Sequence, residues 1–501
     1  MTASENSVRL PERPFPGLDV SGARILVTGF GISGYAIVDQ TLQRGAHVTA
    51  VDASRSEANL EKAKILETLG ARILLGEEHT RALPKNSDGC PFDVVVTSPG
   101  WRPDHPLLVA AKDAGIEIWS EIELARRMQK ADGPAWLAVT GTNGKTTVVT
   151  MLESILQSAG LRAVAAGNVG LPLIEAVLDP EGFEAIALEL SSFQLHWTEN
   201  LGAHSSAILN IGADHLDWHG GMEQYARAKA KVYAGTCHAC LYNKADERTL
   251  RALEEADVVE GCRAIGVDLS APGPSELGVV EDLLVDRAFC ENRHSQAAEI
   301  ASLGTVAHLG PHGAPPHVVL NALFAAGLAR SFGVEPIHVR EGLAAYRAGE
   351  HRSEIVYVEG GVAFVDDSKA TNPDSAAAAL SAAKSAVWIA GGDAKGADLH
   401  SLVAAHAERL KAVVLIGRDP APFIAALDDH APDVPRVWID PDDCADNRAL
   451  MGKAVAEAAS RANDGDVVLL APAAASIDQF AGYGERGDLF AEAARKLGSG
   501  A

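Results

Sequence analysis

Positive charge is scarce in this sequence. Its 501 residues include 43 Lys and Arg against 67 Asp and Glu, which gives a formal net charge of −24. Such a balance repels nucleic acid and anionic lipid at long range, so a polyanion-binding scaffold is disfavoured. Basic residues that recur in glycine-rich loops are therefore candidates for local anion sites.

Long apolar runs are also missing. No segment approaches the ~18 uncharged apolar residues of a membrane span, and the N-terminal stretch MTASENSVRLPERPFPGLDVSG contains no apolar signal region. The six cysteines are few for this length, which fits a reducing compartment. We expect a soluble, cytoplasmic, monomeric protein that acts on small molecules, without nucleic-acid or membrane partners.

One cysteine pair has metal-ligand spacing. Cys237 and Cys240 form a C-x-x-C, with Cys290 and His294 further along the chain, so a zinc site is one interpretation. The alternative is a strand across TCHACLYN, in which positions three apart point to opposite faces. We favour the strand and expect no metal there.

The chain length suggests about three domains at roughly 150 residues each. From Ala23 to about Glu123, short apolar runs alternate with helical stretches, which is typical of a parallel doubly wound sheet. The alternation restarts at WLAVTG and again after Gly349. We predict an α/β protein with three domains: a Rossmann-like domain (1–124), a central P-loop-type mononucleotide-binding domain (125–348) and a second Rossmann-like domain (349–501).

The alternation of apolar runs with helical stretches weakens near residues 260–316. The stretches DLSAPGPSELG and LGPHGAPPH are rich in proline and glycine and are interpreted as surface loops. The apolar run VVLNALFAAGLARSFG that follows predicts a helix leading to the last domain.

The first glycine-rich loop follows the first predicted strand. Gly29, Gly31 and Gly34 form a G-x-G-x-x-G, and Asp52 ends the next strand. This is the dinucleotide fingerprint in its expected context. Any pyrophosphate fits an open helix N-terminus, however, so both an NAD-type cofactor and a nucleotide-sugar diphosphate agree with the pattern.

The second loop, TGTNGKTT, lacks the first glycine of a Walker A motif, since Val139 stands in its place. It keeps Gly141 and Gly144 for close backbone approach, Lys145 as a point charge and Thr146 as a hydroxyl for Mg²⁺. A phosphate there needs a metal-binding carboxylate on a neighbouring strand. Glu189, at the end of the apolar run AIALEL, fits that need, although a buried structural Glu is the alternative.

Two further loops carry polar clusters. After the strand that follows Glu189, the segment ILNIGADHLDWHG presents Asp214, His215 and Asp217, among which His215 is a metal-ligand candidate or an ordinary loop histidine. In the third domain, DSKATN (367–372), GGDAKGAD (391–398) and the segment 471–487 all follow predicted strands. We expect these three loops to gather at one sheet edge, although a solvated charged loop remains an alternative for DSKATN.

Together these motifs resemble the Mur ligase family of peptidoglycan synthesis over almost the whole chain. TGTNGKTT alone is shared with folylpolyglutamate synthetases, whereas LELSSFQL (188–195), GNVGLP (167–172), the G-F-G-I-S-G loop of the first domain and DSKATN are more specific. DSKATN together with SSFQL resembles the branch that adds D-glutamate. The resemblance implies that ATP phosphorylates the L-alanyl carboxylate of UDP-N-acetylmuramoyl-L-alanine. The amine of D-glutamate then attacks the acyl phosphate, and phosphate leaves.

The resemblance also implies a role for each matching residue. The residues that it assigns to ATP are Gly141, Thr142, Asn143, Gly144, Lys145, Thr146, Thr147, Asn321, Arg352 and Asp367. Those assigned to two Mg²⁺ sites are Thr146, Glu189, His215 and Lys229, with Lys229 carbamylated so that it offers oxygen. Asn168 is placed near the reacting groups. The substrate-binding set is Gly31, Ile32, Ser33, Asp52 and Ser191 on the UDP side, and Lys369, Thr371, Lys395, Ser476 and Tyr483 for D-glutamate.

Three positions depart from the family pattern. The family's His-Asn before the Asn321 helix appears as His317-Val318, with His312 as a competing register. Ser33 replaces a Thr, and Tyr483 replaces a Phe.

Three other functions compete with an ATP-dependent amide ligase. A nicotinamide oxidoreductase does not explain the second nucleotide-binding loop and its acidic metal partner, because hydride transfer does not need them. A folate-tail ligase does not explain the first domain. A non-catalytic nucleotide-binding regulator would lack at least one residue that catalysis requires, and no such residue is missing from this sequence.

Overall fold

A computed structural model describes residues 17–86, 89–199, 201–310 and 313–498. Its contacts divide the chain into two compact units. The first contains residues 17–279, 285–300 and 323–342, and the second contains 280–284, 301–322 and 343–498. Among the described residues, no helix is both long and apolar enough to cross a membrane.

The first sheet is parallel and five-stranded, with order β3-β2-β1-β4-β5. Its strands are β1 (Arg24–Thr28), β2 (His47–Asp52), β3 (Arg72–Leu75), β4 (Val94–Thr97) and β5 (Glu117–Ser120). The helices are α1 (Ile32–Leu42), α2 (Glu57–Thr68), α3 (Glu77–Thr80), α4 (Pro106–Asp113) and α5 (Glu121–Met128). The strand order reverses beside β1, which places the glycine-rich loop after β1 at the switch point where such sheets bind ligands.

The second sheet has nine strands, and β7-β8-β6-β9-β10-β11-β12 run parallel. The strands are β6 (Ala135–Thr140), β7 (Ala163–Gly167), β8 (Ala185–Glu189), β9 (Ser205–Ile208), β10 (Ala239–Asn243), β11 (Arg263–Val267), β12 (Glu276–Val280), β13 (Leu283–Asp286) and β14 (Ala298–Ser302). The helices are α6 (Lys145–Ser158), α7 (Leu173–Val177), α8 (Ser192–His196), α9 (Leu216–His219), α10 (Met222–Ala230), α11 (Glu247–Glu254), α12 (Leu303–Val306), α13 (Pro316–Ser331) and α14 (Pro336–Ala345).

In the segment 260–316, the surface-loop interpretation of DLSAPGPSELG holds only up to Ser275, because Glu276 begins β12. This segment contains β11, β12, β13 and β14, which extend the second sheet at one end. These strands are short and carry charged residues such as Glu276 and Asp286, so their apolar pattern is weak.

The third sheet has the order β15-β16-β20-β17-β18-β19 and is parallel except for β15, which pairs antiparallel with β16. Its strands are β15 (Glu354–Glu359), β16 (Val362–Asp366), β17 (Ala386–Gly391), β18 (Leu410–Ile416), β19 (Arg436–Trp438) and β20 (Val467–Leu470). The helices are α15 (Pro373–Ala382), α16 (His400–His406), α17 (Ala421–His430), α18 (Asn447–Arg461) and α19 (Tyr483–Leu497).

Side-chain alternation explains how the third sheet is buried on both faces. Trp388 of β17 packs in one core with Phe423, whereas Val387 and Ile389 pack on the other face with Phe490. Strands β16, β20 and β17 are neighbours, so the three loops that follow them lie at one edge of this sheet, as predicted.

Candidate active site

The phosphate-loop candidate joins β6 to the N-terminus of α6. Gly144 is the N-cap and has φ +84°, a left-handed conformation that glycine adopts without a Cβ penalty. The first N–H groups of α6 have no intrahelical acceptor, which makes this helix end suited to an anion. The Nζ of Lys145 folds back and donates to the carbonyl oxygens of Gly141 and Thr142, each at 2.8 Å.

Neighbouring elements brace this loop. Asn210, just after β9, accepts from the N–H of Asn143 at 2.8 Å and donates to its carbonyl at 3.1 Å. The Thr142 hydroxyl accepts from the N–H of Gly212 at 2.9 Å and lies 3.0 Å from the hydroxyl of Tyr225. The loop is therefore held in shape before any ligand binds.

Lys229 is buried beneath the same loop, with 2% of its surface exposed. Its Nζ donates to the carbonyl of Gly141 at 2.8 Å and lies 4.6 Å from the ring centroid of Tyr225. Burial holds the pKa of Lys229 well below its usual value, and the charge of Lys145 lowers that pKa further. The carboxylates of Asp214 and Glu189 act in the opposite direction.

Glu189 ends β8 and is 2% exposed. Its Oε1 accepts a 2.9 Å hydrogen bond from Nδ2 of Asn168, which follows β7. Its Oε2 is buried and has no hydrogen-bond partner among the described residues. A buried carboxylate oxygen without a partner is costly, and a cation is one ligand that would satisfy it.

His215 lies in the loop after β9 with φ +53°. Its Nε2 is 3.5 Å from Oδ2 of Asp214, and its ring centroid is 4.8 Å from that of Phe193. In the sheet, β6 separates β8 from β9, so Glu189 and His215 flank the phosphate loop on its two sides. His215 does follow the next strand of the sequence after Glu189, but β6 lies between these two strands in the sheet.

His215 belongs to an aromatic cluster, which it contacts through Phe193. The cluster consists of Phe193, His196, His215, Trp218, His219 and Tyr225. Burial lowers the pKa of His196 and of His219 to about 4, so both rings are neutral at pH 7. His219 Nε2 lies 2.9 Å from the hydroxyl of Ser192, which ties α9 to α8.

The glycine loop after β1 follows the predicted fingerprint. Gly29 has φ +94°, and a Cβ on Gly34 would lie 2.0 Å from the carbonyl oxygen of Gly29, so α1 approaches the loop closely. Asp52 accepts from the N–H of Phe30 at 2.6 Å and from that of Ser54 at 2.7 Å. A cavity of about 330 Å³ opens here, lined by Gly29, Gly31, Ile32, Ser33, Asp52, Ser98, Pro99, Gly100 and Trp101.

A second cavity, of about 240 Å³, is lined by residues that belong to the first sheet's loops and to the second sheet's loops. It is lined by Ile32, Ser33, Pro99, Gly167, Asn168, Val169, Gly170, Pro172 and Gln194. Asn168 therefore faces the cavity shared with the glycine loop and also donates to Glu189. The structure brings the predicted UDP-side residues Ile32 and Ser33 together with the predicted reacting centre.

Ser191 is engaged locally. It forms a capping box with Gln194 at the start of α8, and Nε2 of Gln194 donates to Oε1 of Glu121 at 2.8 Å. Burial raises the pKa of Glu121 to about 7. Gln194 thus links Ser191 to the first helix after β5.

The remaining ATP-side residues of the first unit occupy the first turn of α6. Thr146 and Thr147 are partly buried there, and their carbonyl oxygens accept from the hydroxyl of Thr150 at 2.7 and 3.3 Å.

In the second unit, Asp367 follows β16 and accepts from the N–H of Ser353 at 3.1 Å. Burial raises the pKa of Asp367 to about 7, Asp366 adds to the rise, and Arg352 opposes it. Arg352 and Asp367 are therefore neighbours. Asn321 is buried within α13, and no described contact joins it to either residue.

The predicted D-glutamate residues lie on the loops of the third sheet. The Nζ of Lys369 is 3.8 Å from the ring centroid of Tyr483, close enough for a cation–π contact. Thr371 donates its N–H to the carbonyl of Lys369 at 2.8 Å. Ser476 is buried after β20, and the exposed Lys395 has φ +49° after β17.

Two further sequence expectations concern the His317-Val318 register and the strand across the C-x-x-C pair. His312 lies outside the described residues, whereas burial lowers the pKa of His317 to about 4 and Val318 is buried. The strand predicted across 236–243 begins only at Ala239, so the exposed Cys237 precedes it. The buried Cys240 instead lies 3.7 Å from the sulfur of Cys262.

Three family models match this chain in order. They are the Mur ligase MurD-like N-terminal domain at residues 23–120, the Mur ligase middle domain at 139–329 and the Mur ligase glutamate ligase domain at 351–474. The chain belongs to the Mur ligase family.

Curated relatives agree with this assignment. The UDP-N-acetylmuramoylalanine–D-glutamate ligase of Streptomyces avermitilis is 50% identical over 95% of this chain and 99% of the relative. The ligase of the same name from Streptomyces coelicolor is 49% identical over 96% of this chain and 99% of the relative. The solved UDP-N-acetylmuramate-alanine ligase of Thermotoga maritima has a TM-score of 0.55 at 18% identity, covering 95% of this chain and 99% of that one, which shows a shared fold.

Sequence reasoning missed several residues of this Mur ligase site. Asn210 and Tyr225 brace the phosphate loop, and Gln194 lines the shared cavity. A signal was present for Tyr225, because it stands four residues before Lys229 and so shares its helix face. Asn210 was detectable as a polar residue in the apolar stretch that continues just after β9.

The lowered pKa of His196 gives a pH prediction for His196→Gln. The pKa of His196 is lowered from 6.5 to about 4, so between these values the unfolded chain binds the proton better than the folded one. Stability is therefore lost as pH falls from 6.5 towards 4, and the variant should lose less. We expect its melting temperature to fall less between pH 7.5 and 5 than that of the native chain, whereas the exposed control His47→Gln should match the native fall. Equal falls in all three proteins would contradict the assignment.

Proposed function

We propose that this Mur ligase adds D-glutamate to UDP-N-acetylmuramoyl-L-alanine in peptidoglycan precursor synthesis, with ATP activating the L-alanyl carboxylate as an acyl phosphate. The observation that carries the proposal is the position of Asn168. It lines one cavity with Ile32 and Ser33 and donates to Glu189 beside the phosphate loop. A substrate held by the glycine loop would therefore present its free end to the ATP site.

We assign a ligand to each of three domains. Residues 1–124 would bind the UDP substrate, residues 125–348 would bind ATP, and residues 349–501 would bind ATP and D-glutamate. The presence of one sheet in each range and the positions of the three matched family models support this division. Gly31, Ile32, Ser33, Asp52 and Ser191 would contact the UDP substrate.

The central difficulty of the reaction is that a carboxylate and a triphosphate are both anions. The proposed answer is concentrated positive potential from Lys145, the open N–H groups of α6 and bound Mg²⁺. The partnerless Oε2 of Glu189 fits a cation, and Thr146, His215 and carbamylated Lys229 would complete two Mg²⁺ sites. Bound Mg²⁺ would neutralise phosphate charge as a Lewis acid.

The chain's own residues would hold the reactants. Gly141, Thr142, Asn143, Gly144, Lys145, Thr146 and Thr147 would cradle the phosphates, while Arg352, Asp367 and Asn321 would contact the rest of ATP. Lys369, Thr371, Lys395, Ser476 and Tyr483 would bind D-glutamate. The neutral amine of D-glutamate would form the amide bond by attacking the acyl carbon. The C–O bond to phosphate would then break, and the proton lost by the amine would pass to the departing phosphate or to water. The nucleophile comes from the substrate, so the chemistry depends on positioning and electrostatics.

Lys229 is the proposed site of carbamylation. A neutral amine attacks CO₂, forming an N–C bond and releasing a proton, and the product is a carboxylate. Burial of Lys229 against Gly141 supports this role, since it disfavours the ammonium form. The product would offer oxygen, the donor that Mg²⁺ prefers.

We also propose that the enzyme acts as a monomer in the cytoplasm. ATP, the proposed energy source, is available in the cytoplasm.

Lys145→Ala and Glu189→Ala should each reduce ATP-dependent phosphate release by about 100-fold or more, because each removes charge stabilisation at the transferring phosphate. Binding of UDP-N-acetylmuramoyl-L-alanine, measured by calorimetry, should stay within about threefold, since the glycine loop is untouched. The exposed substitutions Lys130→Ala and Glu223→Ala serve as matched controls with native turnover. Undiminished phosphate release in either site variant would overturn the assignment.

Lys229→Ala should be inactive and should regain part of its phosphate release when acetate or another short carboxylic acid is added. The acid would fill the space left by the side chain and replace the carbamate oxygens. Lys145→Ala is the control, because acetate cannot replace a positive charge. An inactive Lys229→Ala that no acid restores would count against carbamylation.

A further inference from the structure

Arg486 is the one arginine among the largest fully buried side chains of the described residues, with 0% of its surface exposed. It lies in the first turn of α19, and its guanidinium donates to hydroxyl and carbonyl oxygens. Nε donates to Oγ of Ser368 at 3.0 Å, and Nη2 donates to the carbonyl of Ser368 at 2.8 Å. Nη1 donates to the carbonyls of Ala474 at 3.3 Å and Gly391 at 3.5 Å.

These acceptors belong to three different loops. Ser368 follows β16, Gly391 ends β17, and Ala474 follows β20. The same loops carry Lys369, Lys395 and Ser476, which are assigned above to D-glutamate. One guanidinium therefore joins the three loops that form the proposed amino-acid site of the second unit.

The contact also reaches Tyr483. Ser368 Oγ accepts from Arg486 and donates to the carbonyl of Tyr483 at 2.7 Å. Lys369, the next residue after Ser368, lies with its Nζ 3.8 Å from the Tyr483 ring centroid. The spacing between Lys369 and Tyr483 is thus set through the Ser368 hydroxyl that Arg486 holds.

A lysine or an apolar residue would not reproduce this arrangement. Guanidinium presents its donors in a rigid planar fork, whereas an ammonium group is a point donor on a flexible stem. Burial lowers the pKa of Arg486 to about 10, which still leaves it charged at neutral pH. Burying this charge costs stability that the carboxylates of Asp478 and Asp366 offset only in part, so packing alone does not account for an arginine at this position.

We propose that Arg486 is a positioning residue for D-glutamate, holding the loops after β16, β17 and β20 at the spacing that receives the two carboxylates of the amino acid. The inference rests on the proposed function. Arg486 itself, being fully buried, acts through Lys369, Ser476 and Tyr483.

The test compares Arg486→Lys, Ser368→Ala and a control, Arg127→Met. Arg127 is a buried arginine of α5 that pairs with Glu123 at 2.8 Å, so its loss removes a buried arginine contact away from the three loops. For each protein, KM and kcat are measured separately for D-glutamate, ATP and UDP-N-acetylmuramoyl-L-alanine, together with the melting temperature.

We expect Arg486→Lys to raise the KM for D-glutamate by about tenfold, the effect of losing one charge-assisted hydrogen bond. Ser368→Ala should raise it in the same direction by a smaller factor. The KM for UDP-N-acetylmuramoyl-L-alanine should stay within about twofold in both, because its residues lie in the first unit. Arg127→Met should lower the melting temperature without changing the KM for D-glutamate.

Two results would overturn the inference. One is a native KM for D-glutamate in folded Arg486→Lys and Ser368→Ala. The other is a parallel rise in all three KM values that tracks the fall in melting temperature, which would make Arg486 a stability residue only. If Arg486→Lys does not fold, Ser368→Ala decides between these results. A native chain that does not use D-glutamate would instead refute the proposed function, so the two failures are distinguishable.

Discussion

The buried contact between the Nζ of Lys229 and the carbonyl of Gly141 organises the centre of the first unit. Lys229 comes from α10, yet it contacts the loop between β6 and α6, so the helix and the loop must hold a fixed spacing. The charges of Lys145, Asp214 and Glu189 all act on this one amine. In water such charges would be screened, but in a buried site each is felt strongly. The arrangement is suited to a reaction in which two anionic substrates must meet.

The second unit handles charge differently. The loops after β16, β17 and β20 contact the buried guanidinium of Arg486, and the Nζ of Lys369 lies over the exposed ring of Tyr483. The first unit uses buried groups to shape a phosphate site, whereas the second uses one to space three loops. Both arrangements of buried groups depend on parallel sheets, because the carboxyl ends of neighbouring strands bring residues that are distant in sequence to one edge of the sheet.

Much of the three-sheet fold and of the candidate site was predictable from the sequence, for identifiable physical reasons. Glycine loops after apolar strands located the loops at Gly29 and Gly144, and an apolar run ending in a carboxylate located Glu189. Lys229 was reached only through resemblance, because a lysine within a polar helix carries no local sign of burial. The strands between 260 and 316 were missed because their apolar pattern is short and interrupted. The position of β6 between β8 and β9 was hidden because sequence order does not determine sheet order.

The central claim is that the site joins D-glutamate to a UDP-linked carboxylate with consumption of ATP. The most direct measurement is phosphate release by the purified chain with ATP, Mg²⁺ and UDP-N-acetylmuramoyl-L-alanine across a panel of D- and L-amino acids. We expect rapid release with D-glutamate, little with L-glutamate, and none when the UDP substrate is omitted. Release that favours another amino acid, or that proceeds without the UDP substrate, would contradict it.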